Sequence, residues 1–150
     1  QADLTAGVAK RNQRALGGME ALVGIMREML VARGRADDPH QRVRIGEALI
    51  ALETARMWVH RAALVAESGT GDPGDVANTV NLARIAVERA GLDILRLAQR
   101  GLGLAAFRSG ALAELLMRDL ATYLRQPAPD ITLTDAAAHF TVRDLPWLPC

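Results

Sequence analysis

The sequence predicts an all-helical fold, an up-down four-helix bundle of long antiparallel helices with a short C-terminal tail. Three observations carry that expectation. Apolar residues recur three and four apart over long stretches. The breaks between those stretches are short and hold glycine, proline and aspartate. No stretch alternates apolar and polar residues for long enough to build a sheet.

The first helix is expected from about Leu4 to Ala32, with Leu16, Met19, Val23, Met26 and Leu30 on one face. Gly17-Gly18 interrupts it and suggests close approach of another backbone. Asp38 then offers an N-cap, and Pro39 suits a first helical position. The second helix is expected from Pro39 to about Glu67 with two buried stripes. One is Val43, Gly46, Ile50, Glu53, Met57, His60 and Leu64; the other is Ile45, Leu49, Leu52, Arg56, Val59 and Ala63. The loop from Ser68 to Asp75, with three glycines and a proline, is expected to be the most mobile.

The third helix is expected from about Asp75 to Arg100, with Val76, Val80, Ala83, Val87, Ala90, Ile94, Leu97 and Gly101 on its inner face. A glycine-rich turn from Gly101 to Gly110 leads to a fourth helix, about Ala111 to Leu124, facing inward through Leu112, Leu116, Leu120 and Tyr123. Gln126-Pro127-Ala128-Pro129 ends it. In the tail, only about Thr132 to Phe140 reads as helical, with Asp130 or Thr132 as its cap. Leu145 to Pro149 is too proline-rich to be helical. The long helices should span ~40 to 45 Å at 1.5 Å per residue, and short connections make neighbours antiparallel.

Composition narrows the function classes. One domain accounts for 150 residues. Eighteen basic and 17 acidic residues leave a net charge of +1, which argues against nucleic acid as a partner. No apolar run is long enough for a membrane span, and no signal peptide is visible. The lone cysteine, Cys150, excludes an intrachain disulfide and suits a reducing cytosol, so a cytoplasmic location is expected. Because it begins on Gln1, the chain is expected to be a processed product, an expressed segment or a fragment.

Several motifs invite chemistry. Glu53 and Arg56 lie one turn apart, as a tuned site carboxylate or as an ion pair fixing helix register. His60 follows on the same seam, but a di-iron bundle needs Glu-x-x-His, which does not occur, so no metal site is expected. His40 and His139 read as surface residues. Gly101-Leu102-Gly103 could cradle a phosphate or simply turn between helices; following a helix, it is no dinucleotide fingerprint. Arg33, Arg35, Arg42 and Arg44 could meet a phosphate-rich ligand or form a solvated face balanced by Asp37, Asp38 and Glu47. Arg118 is expected to reach a neighbouring helix. Ser109 has no histidine placed to activate it.

Taken in order, Glu53-Thr54-Ala55-Arg56-Met57, Arg61-Ala62-Ala63, Glu67-Ser68-Gly69, Ala98-Gln99-Arg100-Gly101-Leu102-Gly103, Phe107 and Arg118-Asp119 resemble the C-terminal helical domain of the acyl-CoA dehydrogenase family. The resemblance covers about residues 15–126. It implies a fragment of a larger FAD-dependent oxidoreductase whose N-terminal helical and middle β domains are absent. It further implies dimers or tetramers through the bundle, with FAD shared across the subunit interface. Carried over, it places Arg33 near the flavin pyrophosphate, and Gln99 or Arg100, with Gly101 and Gly103, at the family's glutamine-glycine turn. Leu104 and Ala106 replace glycines of that turn, and Ala36 stands where the family has phenylalanine.

The α-proton abstraction of that family needs a carboxylate. Its usual position falls here on Pro127-Ala128-Pro129, and the minority position near Gly7 has Asp3 as its nearest acid. The resemblance is therefore closer to members lacking this glutamate, which include flavin-dependent monooxygenases. No catalytic residue is assigned, and the segment alone is expected to be inactive. The rival expectation is a stand-alone helical interaction module without redox chemistry.

Overall fold

A computed structural model describes residues 2–126 and 128–143, with side chains from residue 6 onward. The described chain is all helical: α1 (Ala2–Ala32), α2 (Pro39–Glu67), α3 (Pro73–Leu102), a 3-10 turn (Gly103–Phe107), α4 (Leu112–Leu124) and α5 (Pro129–Thr141). The expected count of four is therefore corrected. The piece foreseen at Thr132–Phe140 is a helix of 13 residues, as long as α4. It starts at Pro129, where the fixed φ of proline suits a first turn, and neither Asp130 nor Thr132 caps it. The proline-rich segment 145–149 and Cys150 lie outside the described residues.

Local chemistry sets the helix ends. Gly34 is left-handed at φ +63°, and the Arg35 amide donates to Leu30 O (2.9 Å) while the Gly34 amide donates to Val31 O (3.0 Å). That pair closes α1 as a Schellman motif. Asp38 caps α2 as expected, accepting from the amides of His40 (2.9 Å) and Gln41 (3.4 Å). Asp72 caps α3 in the same way, from Gly74 (2.8 Å) and Asp75 (3.2 Å), so α3 begins earlier than its apolar pattern alone indicates.

Both caps hold their carboxyls below the usual range. For Asp38 the main cause is the Arg35 hydrogen bond; for Asp72 it is the amides of Asp75 and Gly74. A carboxylate with a depressed folded-state pKa adds stability above its unfolded value near 3.8, and that stability is lost as pH falls through the folded value. The melting temperature is therefore expected to drop below about pH 4. The double variant Asp38→Asn/Asp72→Asn, which keeps acceptors without titrating, should show a shallower drop. Parallel curves for the two proteins would remove the caps from the acid transition.

α3 is the centre of the molecule and touches every other element. Its inner stripe is as expected from Val80 onward: Val80, Ala83, Val87, Ala90, Ile94, Leu97 and Gly101 are all buried, while Val76 in the first turn is only half-buried. On α1 the buried face is Asn12, Ala15, Met19, Leu22, Val23, Met26 and Leu30. α2 follows expectation only in part: Leu52 and Val59 of the second expected stripe are buried, on a core face shared with Gln41, Ala48, Ala55 and Ala62, whereas Val43, Ile50, Met57 and Leu64 of the first stripe are exposed. Alanines at positions 48, 55 and 62 let neighbouring backbones approach, and an apolar count overlooks them because each buries so little area. α4 is likewise turned, burying Ala113, Met117, Leu120 and Leu124, while Leu112 is exposed.

The Gly17-Gly18 pair is not a point of tight packing. A Cβ on Gly17 meets nothing within 4 Å, and one on Gly18 meets Leu120 at an ordinary 3.7 Å. The tight site is Gly91, where a Cβ would lie 2.6 Å from Leu124 Cδ1. The buried Arg84 of α3 donates to Leu124 O and to Gln126 O (2.9 Å from Nη2), capping the end of α4 with a side chain from another helix. α5 touches α3 alone. It is fixed there by His139 Nε2 on Asp75 (2.7 Å) and Arg143 Nε on Asp75 (3.0 Å). His139 is thus a half-buried partner of Asp75, not the surface residue its sequence position suggests.

Candidate functional site

The residues at the C-terminal ends of α1 and α3 come together with the start of α2. Arg33 follows the last turn of α1, and its Nη1 donates to Leu102 O at 3.3 Å, spanning 69 positions of sequence. Beneath this contact lies Gly101, fully inside α3, where a Cβ would sit 3.5 Å from Gln41 Oε1 and 3.6 Å from Met26 Cε. Gln99 and Arg100 are exposed on the same last turn. The five residues singled out for the flavin (Arg33, Gln99, Arg100, Gly101 and Gly103) therefore belong to one end of the molecule, drawn from the turn after α1 and from the end of α3 with the first residue of the 3-10 turn.

The glycines do not form an anion cradle. α3 continues through Leu102, so Gly101 is helical and buried instead of part of a turn. The Gly103 amide donates back to Gln99 O and closes the helix. Gly103 has φ +59° and ψ −137°, a conformation for which glycine is the natural occupant, and this lets the chain leave α3 and enter the 3-10 turn. Any anion here would meet side chains, chiefly Arg33 and Arg100. Of the other basic candidates, Arg35 pairs with Asp38 (2.6 Å) and Arg42 with Asp37, as a solvated face would have them.

Gln41 was not foreseen. It is 3% exposed, and its Oε1 has no hydrogen-bond partner. It lines a cavity of about 190 Å³ with Leu30, Val31, Arg27, Arg35 and Arg42, between the end of α1 and the start of α2. The signal was its spacing: Gln41 is the first member of the series continued by Ala48, Ala55 and Ala62. A buried acceptor without a donor is costly, so a donor-bearing group in this cavity would be stabilised.

Other candidates resolve as structural. Glu53 pairs with Arg56 at 2.5 Å, and Arg56 reaches Glu20 of α1 at 2.8 Å. These bonds, Glu20 first, raise the Arg56 pKa and tie α1 to α2. Arg118 stays on its own helix with Glu114 (3.3 Å) and Asp119 (3.8 Å) instead of reaching a neighbour. His60 is exposed. Asp72, Asp75 and His139 lie within 4.8 Å of one another, but Arg143 enters the same group and the Asp72 cap is committed to two amides. Ion pairing of α5 to α3 accounts for the cluster. Pro127, where the family's usual base would fall, is outside the described residues; the adjoining Ala128 is exposed and Pro129 is buried at the start of α5. Among the described residues no helix is long and apolar enough to cross a membrane.

No protein-family model matches the chain, and no curated protein or solved structure matches it significantly.

Proposed function

We propose that the chain is the helical C-terminal domain of an acyl-CoA dehydrogenase-type flavoprotein, contributing to self-association and to an FAD site shared between subunits. On this reading the first four helices are the family's up-down bundle and α5 is an addition packed on α3. The observation that carries the reading is the Arg33–Leu102 hydrogen bond, which joins the loop after α1 to the Gln99–Gly103 segment, the two pieces the resemblance assigns to the flavin. Their cationic side chains suit a pyrophosphate. Without the family's N-terminal helical and middle β domains the segment alone is read as inert; with no carboxylate at either position of the family's base, the parent, placed in the cytoplasm, is read as closer to members without that glutamate.

The test is flavin retention by the parent protein. Arg33→Ala is expected to weaken FAD binding roughly tenfold or more, the equivalent of one charge-assisted hydrogen bond. A parent that purifies colourless and takes up no FAD would defeat the reading. The second reading, a helical interaction module without redox chemistry, draws support from the exposed apolar face of α2. A native reading frame encoding little beyond these residues would favour it.

A further inference from the structure

The cavity between the end of α1 and the start of α2 has a polar group in its floor and apolar walls above it. Of its lining residues only Leu30 and Gln41 are buried; Ile45 is half-buried, and Val31 and Ala36 at the mouth are exposed. Gln41 therefore sets the chemistry of the floor. Its Oε1 is buried and accepts no hydrogen bond from the protein. That oxygen lies toward α3, 3.5 Å from where a Cβ on Gly101 would be, and no hydrogen bond holds it there. The last torsion of a glutamine is broad, so the amide is free to offer its oxygen to a donor entering from the cavity.

Size and charge narrow the guest. About 190 Å³ is room for one ring, since apolar cavities on the order of 150 Å³ hold benzene. Leu30, Val31 and Ile45 give that ring an apolar wall. At the rim, Arg35 is engaged with Asp38 at 2.6 Å, and Arg42 with Asp37 and with Ala36 O at 3.0 Å. Arg27, the third arginine of the lining, has no carboxylate partner among the described residues. Three arginines against two aspartates leave the rim with one positive charge in excess. That excess disfavours an ammonium as the donor and leaves a neutral hydroxyl or N–H.

We propose that this cavity binds a small neutral molecule of the phenol type, an apolar ring carrying one hydroxyl or N–H that donates to Gln41 Oε1. The ring lies beside Leu30 and Ile45, and its donor supplies the bond that the buried acceptor lacks. Apolar walls with a single orienting polar group are the usual make-up of a small-molecule site. The site is complete within α1 and α2 of one chain and needs neither FAD nor a partner. It therefore goes beyond the reading above and does not rest on it.

Titration of the full chain with phenol, anisole and benzylammonium, followed by amide and methyl NMR, tests it. Phenol should shift the side-chain amide of Gln41 and the methyls of Leu30 and Ile45. It should bind roughly five- to tenfold tighter than anisole, the worth of one neutral hydrogen bond, because anisole has the ring without the donor. Benzylammonium should bind more weakly than phenol. Gln41→Leu should abolish the preference for phenol over anisole. Ala36→Trp, at the exposed mouth, should weaken both rings alike and leave helical circular dichroism unchanged. Equal binding of phenol and anisole, benzylammonium bound as tightly as phenol, or a preference that survives Gln41→Leu would overturn the proposal. So would shifts confined to residues away from the cavity, or no saturable shift with any of the three. Flavin retention by the parent is read separately and is moved by none of these outcomes.

Discussion

Arg84→Met is expected to destabilise the chain by about 2–4 kcal/mol, measured by urea denaturation, because it leaves carbonyl oxygens at the end of α4 without their donors. Arg84 is buried, and its guanidinium serves both Leu124 O and Gln126 O. Helix C-termini always leave carbonyls unpaired. At α4 the Arg125 and Gln126 amides turn back onto Thr122 and Tyr123, so Leu124 O relies on Arg84. Methionine retains most of the apolar stem and none of the donors, so the loss reports hydrogen bonding more than volume. Burial lowers the Arg84 pKa, the mark of a charge kept in a desolvating place by its partners. Arg84→Lys should recover less than half of the loss, since one ammonium cannot reproduce the fork of the guanidinium. A methionine variant as stable as the parent would show that water satisfies those carbonyls equally well.

The second large effect is at the Leu124–Gly91 contact. Leu124 is fully buried, and its side chain fills the notch left by the missing Cβ of Gly91. Leu124→Ala should cost about 3–5 kcal/mol, the range for leucine truncation in a core that cannot collapse. Gly91→Ala gains about 1 kcal/mol of helix propensity but overpacks the site by about 1–3 kcal/mol, for a net loss. Combined, the two changes should be better than additive by about 1–2 kcal/mol, because the new methyl enters the space that Leu124 vacated. Strict additivity would mean that α4 shifts to relieve the crowding, and the notch argument would fail.

The inner stripe of α3 was legible from Val80 on: the buried side chains at Val80, Ala83, Val87, Ala90, Ile94 and Leu97 are large or regular enough to declare their face, whereas the burial of Ile85, Leu95, Ala98 and Leu102 beside it was not foreseen. α2 was legible in extent but only half in orientation: Leu52 and Val59 of its second expected stripe are buried, and the apolar residues of the first are exposed. Its true core face is carried by Ala48, Ala55 and Ala62, while isoleucine, methionine and leucine crowd the opposite side. Apolar spacing states which residues share a face; it does not state which of two faces meets the core. α5 was legible only in part, because Pro127 and Pro129 read as a stop, although proline at a first helical position also begins a helix. At the candidate site, Arg33 was singled out by resemblance, but its bond to Leu102 crosses 69 positions and no local rule contains it. Gln41 escaped for the opposite reason, since a polar residue on a buried stripe passes for an interruption.

The central position of α3 bears on how the chain reaches its fold. The α2–α3 pair is the most extensively packed and is joined by only the short segment Ser68–Asp72, so it forms at low loop-closure entropy. α1 packs on both members of that pair. Joining α4 to α1 would be costly in an open chain, but once α2 and α3 are paired the intervening distance is already closed. α5 adds last at no topological cost, since it needs only α3. Such an order, in which each helix docks on a hairpin already formed, is that of a rapidly folding protein with few competing arrangements.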